Sequence, residues 1–200
     1  MGQKEWQVVL DYWFGDIENT AIDWQQRGDL WWGKHREVDQ EIRDRFAHFV
    51  NGLSEGGYRD WLGSARGRLA AIVVVDQFSR NLFRGEAKAF AADPQALQWC
   101  LDGIDCGDDL LLKPVERVFF YMPLEHSESP AMQQLSITNY RALVSAVPEE
   151  EKETFRGFLD FAQRHYDVIA RFGRYPHRNK ALGRESTPEE MAFMEQSSSF

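Results

Sequence analysis

The sequence predicts an all-α protein: an irregular, multi-helix array of about eight helices in one domain spanning residues 1–200. Three observations point there. Apolar residues recur three and four apart in segment after segment, proline and glycine sit where helices start and stop, and no two alternating runs offer each other strand partners. Two hundred residues, 43% of them hydrophobic and 28% charged, are enough for a buried interior, with room for a subdivided core.

Trp6, Val9, Leu10 and Trp13 set a first helix over residues 4–14, which Gly15 ends. From Asp16 to Gly33 an irregular loop is expected, pinned by Trp24, Trp31 and Trp32. Val38, Ile42, Phe46 and Phe49 set a second helix from about Lys34 to Val50, broken by Asn51-Gly52 and Gly56-Gly57. A third is expected over Tyr58–Asn81. Its run Leu69–Val75 would also suit a buried strand, but helical periodicity on both sides favours helix. Asp93-Pro94 caps and opens the next, and Pro114 opens another that Pro123 kinks or ends. A helix follows from about Ala131 to Ala146. Pro148 and three glutamates then stand at the positive end of a long helix reaching Phe172, and Thr187-Pro-Glu-Glu190 is a capping box for the last one. No regular 34-residue repeat is visible, so any tetratricopeptide-like architecture is degenerate.

Composition narrows the function classes. A net charge of -9 disfavours nucleic-acid binding, and no apolar run approaches the ~20 residues that cross a bilayer. The amino terminus has no signal-peptide stretch, so a cytoplasmic protein is expected. Cys100 and Cys106, the only cysteines, match no redox or zinc spacing and read as free thiols in a reducing compartment. No ligand motif for a metal appears, no serine or cysteine occupies a nucleophile turn, and Gly63-Ser-Ala-Arg-Gly67 lacks both the Walker spacing and its lysine. No cofactor is indicated.

Polar residues on apolar helix faces carry the remaining chemistry. At 100° per residue, Asp76 and Arg80 share the face of Leu69, Ile72 and Val73, where a carboxylate and a guanidinium are costly unless paired. His126 lies in line with Val115, Phe119 and Met122, with Glu125 and Glu128 beside it, and His165 lies between Phe158 and Ile169. From Arg164 to Arg184 five arginines and one lysine face one aspartate, a local charge of +5. Gly173 and Pro176 end the long helix inside that stretch, and Arg171, Arg174 and Arg178 cluster there with His177. Guanidinium forks suit phosphate or carboxylate oxygens, although arginines at a helix end also complement its dipole or pair with acidic helices.

Val9-Leu-Asp-Tyr-Trp-Phe-Gly15, Val75-Asp-Gln-Phe-Ser-Arg-Asn-Leu-Phe-Arg-Gly85, Glu116–Glu128, Arg171-Phe-Gly-Arg-Tyr-Pro-His-Arg-Asn179 and the tail Leu182–Glu190 together resemble the bacterial domain-of-unknown-function family nine-two-four. These stretches are spread from residue 9 to residue 190 in the family's order. One departure is Ser79, where the family pattern has proline. The resemblance implies an all-helical fold and cytosolic residence, and no reaction, substrate or cofactor.

Three readings fit the residues. In the first, a pocket binds a small anionic molecule through Arg80, Arg174 and Arg178, with Asp76 orienting, His165 lining, and Glu125, His126 and His177 able to move protons. In the second, a helical scaffold docks a peptide or protein on Trp31, Trp32 and Trp61. In the third, the polar residues form a buried network that ties helices together.

Overall fold

A computed structural model describes residues 4–196, and among these every regular element is helical. The helices are α1 (Glu5–Phe14), α2 (Trp24–Trp32), α3 (Arg36–Ser54), α4 (Ala65–Ile72), α5 (Ser79–Leu82), α6 (Asp93–Cys106), α7 (Pro114–His126), α8 (Pro130–Ala146), α9 (Lys152–Phe172) and α10 (Pro188–Gln196). Short 3-10 turns connect several of them, and a π-helical segment, Val73–Phe78, joins α4 to α5. The chain forms two compact units. One comprises the residues up to Arg84 together with Lys88–Phe120, the other Gly85–Ala87 and the chain from Tyr121 on.

The first unit is built on rings. Trp13, Phe14 and Trp31 meet Phe119 edge-on at 4.8–5.6 Å between ring centroids, and Phe78 closes on Trp13 and Phe46. Such edge-to-face pairs add to the area burial of large side chains. The indole N–H of Trp31 donates to the Trp13 carbonyl at 2.9 Å, which fixes α2 on α1.

Three local departures from expectation have identifiable causes. The segment expected to be an irregular loop contains α2, because the Asp23 side chain accepts from the Gln26 N–H and caps a helix there. The single helix expected over Tyr58–Asn81 is divided. Ser64 caps α4 by accepting from Gly67, with a 3-10 turn before it, and the β-branched run is π-helical from Val73. At Ser79 the chain returns to α-helix. Pro123 lies inside α7 and does not end it. The expected glycine stops hold: Gly15 and Gly173 both have positive φ, and each N–H bonds back to a carbonyl four residues earlier.

In the second unit α8 and α9 pair as an antiparallel hairpin, with Tyr140, Leu143, Ala162, Val168 and Ile169 buried. The capping box is complete. The Glu190 N–H donates to Thr187 Oγ1 and the Thr187 N–H to Glu190 Oε2, at 3.2 and 2.8 Å.

Gly67 gives a test of the division at Ser64. Alanine would ordinarily stabilise a helix by about 1 kcal/mol over glycine. Here an added Cβ would sit 2.2 Å from the Trp61 carbonyl oxygen, a backbone atom that cannot move aside. Steric overlap therefore wins, and Gly67→Ala is expected to destabilise by about 1–3 kcal/mol in urea unfolding. A variant as stable as the parent would show that the 3-10 turn and α4 do not pack this closely.

Candidate functional site

The second unit gathers most of the chemistry singled out above. The last turn of α7 presents Glu125 and His126, α9 presents His165, and the segment after Gly173 presents Tyr175, His177 and Arg178. Tyr175 is fully buried and lies at the centre. Its hydroxyl donates to the Glu125 carbonyl at 2.5 Å and its N–H to Glu128 Oε1 at 2.8 Å. The His165 ring stands edge-on at 5.6 Å, the His177 ring lies at 5.4 Å, and the Arg178 guanidinium sits over the ring at 4.6 Å. His126 and His165 are 6.4 Å apart. Glu125, His165 and Arg178 are buried, His126 is half-buried and His177 is exposed, so the group runs from the interior to solvent.

Burial sets the protonation of His165. Desolvation, with the nearby positive charge of His126, His177 and Arg178 adding to it, pushes its pKa down to about 3 against the pull of the Phe161 carbonyl. Nδ1 lies 2.9 Å from that carbonyl, which accepts only, so the proton is on Nδ1 and Nε2 is the basic nitrogen. Glu125 Oε1, at 3.6 Å from Nδ1, neighbours a neutral ring and not an imidazolium. Burial and the Glu125 carboxylate hold the Tyr175 phenol far above its usual range, so this hydroxyl keeps its hydrogen.

Most of the basic stretch is neutralised internally. Arg174 makes a forked pair with Glu190, Nε to Oε1 at 2.6 Å and Nη2 to Oε2 at 2.9 Å, and also donates to the Glu185 carbonyl. Arg184 forks onto Glu128 at 2.8 and 3.0 Å and donates to the Tyr175 carbonyl. Arg171 reaches Glu189. These pairs fold the segment after α9 back on itself and bring α10 against it. The fork of Arg174, expected to clamp an anion, thus serves an internal carboxylate, and Arg178 is the arginine that lies with the histidines.

Asp76 and Arg80 occupy the first unit, where they form a network of their own. Asp76 is fully buried on the π-helical segment and takes a hydrogen bond from the Gln77 amide. Arg80 Nη1 lies 3.2 Å from Asp76 Oδ1 and 3.0 Å from Asp93 Oδ1, and Nη2 donates to Asp93 Oδ2. The expected pairing of Asp76 with Arg80 is present, with a second carboxylate. Asp93 reaches Arg80 and does not cap α6. Of the three tryptophans considered as anchors, Trp31 and Trp61 are buried, while Trp32 is 48% exposed and stacked on Phe119. Among the described residues no group of three or more His, Cys, Asp or Glu side chains is placed to hold a metal ion. No helix among them is long and apolar enough to cross a membrane.

Sequence reasoning missed Gln133, Tyr175 and Arg184. Tyr175 stood in a motif already singled out, but nothing in periodicity marks a tyrosine as a hub. Gln133 lies on α8 with its amide on Glu125, Ser127 and Tyr175, and no local pattern announces that.

Residues 9–198 match the model of a family described as "Bacterial protein of unknown function (DUF924)". A solved structure of a protein of unknown function from Agrobacterium tumefaciens is similar at 32% identity and a TM-score of 0.81, over 96% of this chain and 97% of that one. Comparison with curated proteins finds no match.

Two outcomes follow from the electrostatics. Between pH 6.5 and about 3 the unfolded chain binds a proton at His165 that the folded chain does not. The stability owed to the neutral ring is therefore whole above pH 6.5 and falls as the pH drops, by up to about 1.4 kcal/mol per pH unit. His165→Gln, which keeps a donor for Phe161, should show a shallower loss between pH 7 and 4 in denaturant titrations; equal slopes would refute the assignment. The fork of Arg174 and the Thr187 N–H hold Glu190 down to about 2, so its contribution is present above pH 4.5 and disappears as the pH falls towards 2. At pH 7, Arg174→Ala and Glu190→Gln should each lower the melting temperature by several degrees, and the double change by less than their sum. Additive losses would mean that the two side chains act separately.

Proposed function

We propose that this chain, which belongs to the bacterial DUF924 family, binds a small anionic ligand bearing a phosphate or carboxylate at the Glu125, His126, His165, His177 and Arg178 cluster. The observation that supports this reading is the gathering of a buried arginine, a buried glutamate and two histidines around one buried tyrosine, with His126 beside His165 and the His177 side open to solvent. Proton-transferring groups held together in this way are typical of sites, whereas a purely structural network needs no exposed member.

The roles follow from the chemistry of each group. Arg178 keeps its charge at any accessible pH and presents planar N–H donors to an oxyanion. His126 and His177, nearer solvent, supply further N–H donors when protonated and acid–base capacity when not. Glu125 beside His126 is the carboxylate that receives or returns a proton. Neutral His165 accepts through Nε2. Asp76 and Arg80, paired with Asp93, and Arg174, paired with Glu190, are assigned to holding the fold. The scaffold reading keeps only Trp32 of its anchors and is the weaker of the two.

Calorimetric titration of the full chain with inorganic phosphate and with acetate tests the reading. At least one should bind saturably, and Arg178→Lys, which keeps the charge but loses the fork, should weaken binding about ten-fold, equivalent to about 1.4 kcal/mol. Failure of both anions to bind, or unchanged affinity in a folded Arg178→Lys protein, would overturn it.

A further inference from the structure

Two buried side chains of the second unit each carry an oxygen that the network around Tyr175 leaves unused. Gln133 and Ser136, three residues apart on α8, are both 0% exposed. The Gln133 amide nitrogen lies 2.5 Å from the Glu125 carbonyl, 2.7 Å from the Ser127 carbonyl and 2.8 Å from the Tyr175 hydroxyl. Two of those groups are backbone carbonyls, which only accept, so the amide cannot be turned over. Tyr175 spends its hydrogen on the Glu125 carbonyl and so accepts from Gln133. Nε2 is thereby fixed, and Oε1 must face away from all three groups.

In that position Gln133 Oε1 is buried without a hydrogen-bond partner among the described residues, and so is Ser136 Oγ on the next turn. A buried acceptor that nothing donates to is costly, and native proteins rarely leave one so. The amide stands at the hydroxyl end of Tyr175, while the Arg178 guanidinium lies over the ring of the same residue. The Gln133 amide and the Arg178 guanidinium are thus both set on the same tyrosine.

We infer that Gln133 Oε1 accepts a hydrogen bond from the ligand of this site. The ligand is then an anion that also carries a hydroxyl or ammonium donor: a hydroxy- or amino-carboxylate, or a phosphate ester with a free hydroxyl. Ser136, which both donates and accepts, is the second contact for that polar end. This rests on the anion-binding reading above and narrows it. Gln133 is a specificity-determining residue here, not an acid or base, since an amide does not titrate.

Matched pairs of probes test it on the full chain: propionate against lactate, and propyl phosphate against glycerol 3-phosphate. The hydroxylated member of at least one pair should bind ten-fold or more tightly than its partner. Gln133→Met should erase that preference. Should Gln133→Met not fold, the side-chain amide resonances of Gln133 in 15N-labelled wild-type protein report instead, shifting with the hydroxylated probe and not with its partner. Equal affinities within both pairs, a preference that survives Gln133→Met, or unmoved amide resonances would overturn the inference and leave anion binding intact, with an ordered water as the donor to Oε1. Binding of none of the four probes, when inorganic phosphate or acetate does bind, would also overturn it alone. Failure of every anion would overturn both.

Discussion

The phenol of Tyr175 is the constraint on which the rest of the second unit depends. Its hydroxyl bridges the end of α7 and the side of α8, its N–H holds Glu128, its carbonyl receives Arg184, and its ring meets Arg178, His165 and His177. A buried tyrosine needs a partner for its oxygen, and this one has both a donor and an acceptor. Each histidine of the cluster comes from a different element: the last turn of α7, the middle of α9, and the 3-10 turn after it. Tyr175 is what those elements share.

Charge in the segment after α9 is arranged by competition between two uses of arginine. A fork directed at an internal carboxylate is a strong, geometrically specific hydrogen-bonded pair, and it removes that arginine from ligand chemistry. Arg171, Arg174 and Arg184 take this course against Glu189, Glu190 and Glu128. The Arg178 guanidinium stands over the Tyr175 ring at 4.6 Å. Much of the positive charge of the sequence thus stitches together the loop that carries Arg178. Burial, with the nearby charge of Arg178 and the other histidines adding to it, keeps the His165 ring neutral.

Local signals in the sequence reported most of the fold. Gly15 and Gly173 end helices because only a residue tolerant of positive φ closes them cheaply, and Thr187 with Glu190 begins one because two side chains can satisfy its first N–H groups. The helical faces of His165 and Asp76 were legible for the same reason, since burial follows periodicity. What periodicity cannot encode is which polar partner a long side chain reaches. Arg174 to Glu190 spans sixteen residues and Arg184 to Glu128 fifty-six. The reach of Gln133 to Tyr175 is likewise set by how α8 packs on α9, not by either residue's neighbours in the chain. Asp23 was legible and passed over, because tryptophans crowd the helix that it begins and disguise its polar face.

The π-helical segment ahead of α5 has a consequence for how this chain tolerates change. A helix bonded i to i+5 holds more residues per turn than an α-helix, so Val73–Phe78 sets the rotational phase at which Ser79–Leu82 leaves it. Removing one residue there would swing Arg80 about 100° around the axis and off Asp93, with no side chain altered. The three valines tolerate exchange among similar apolar residues far better than a shift in count. In this stretch length, more than identity, is what the fold holds constant.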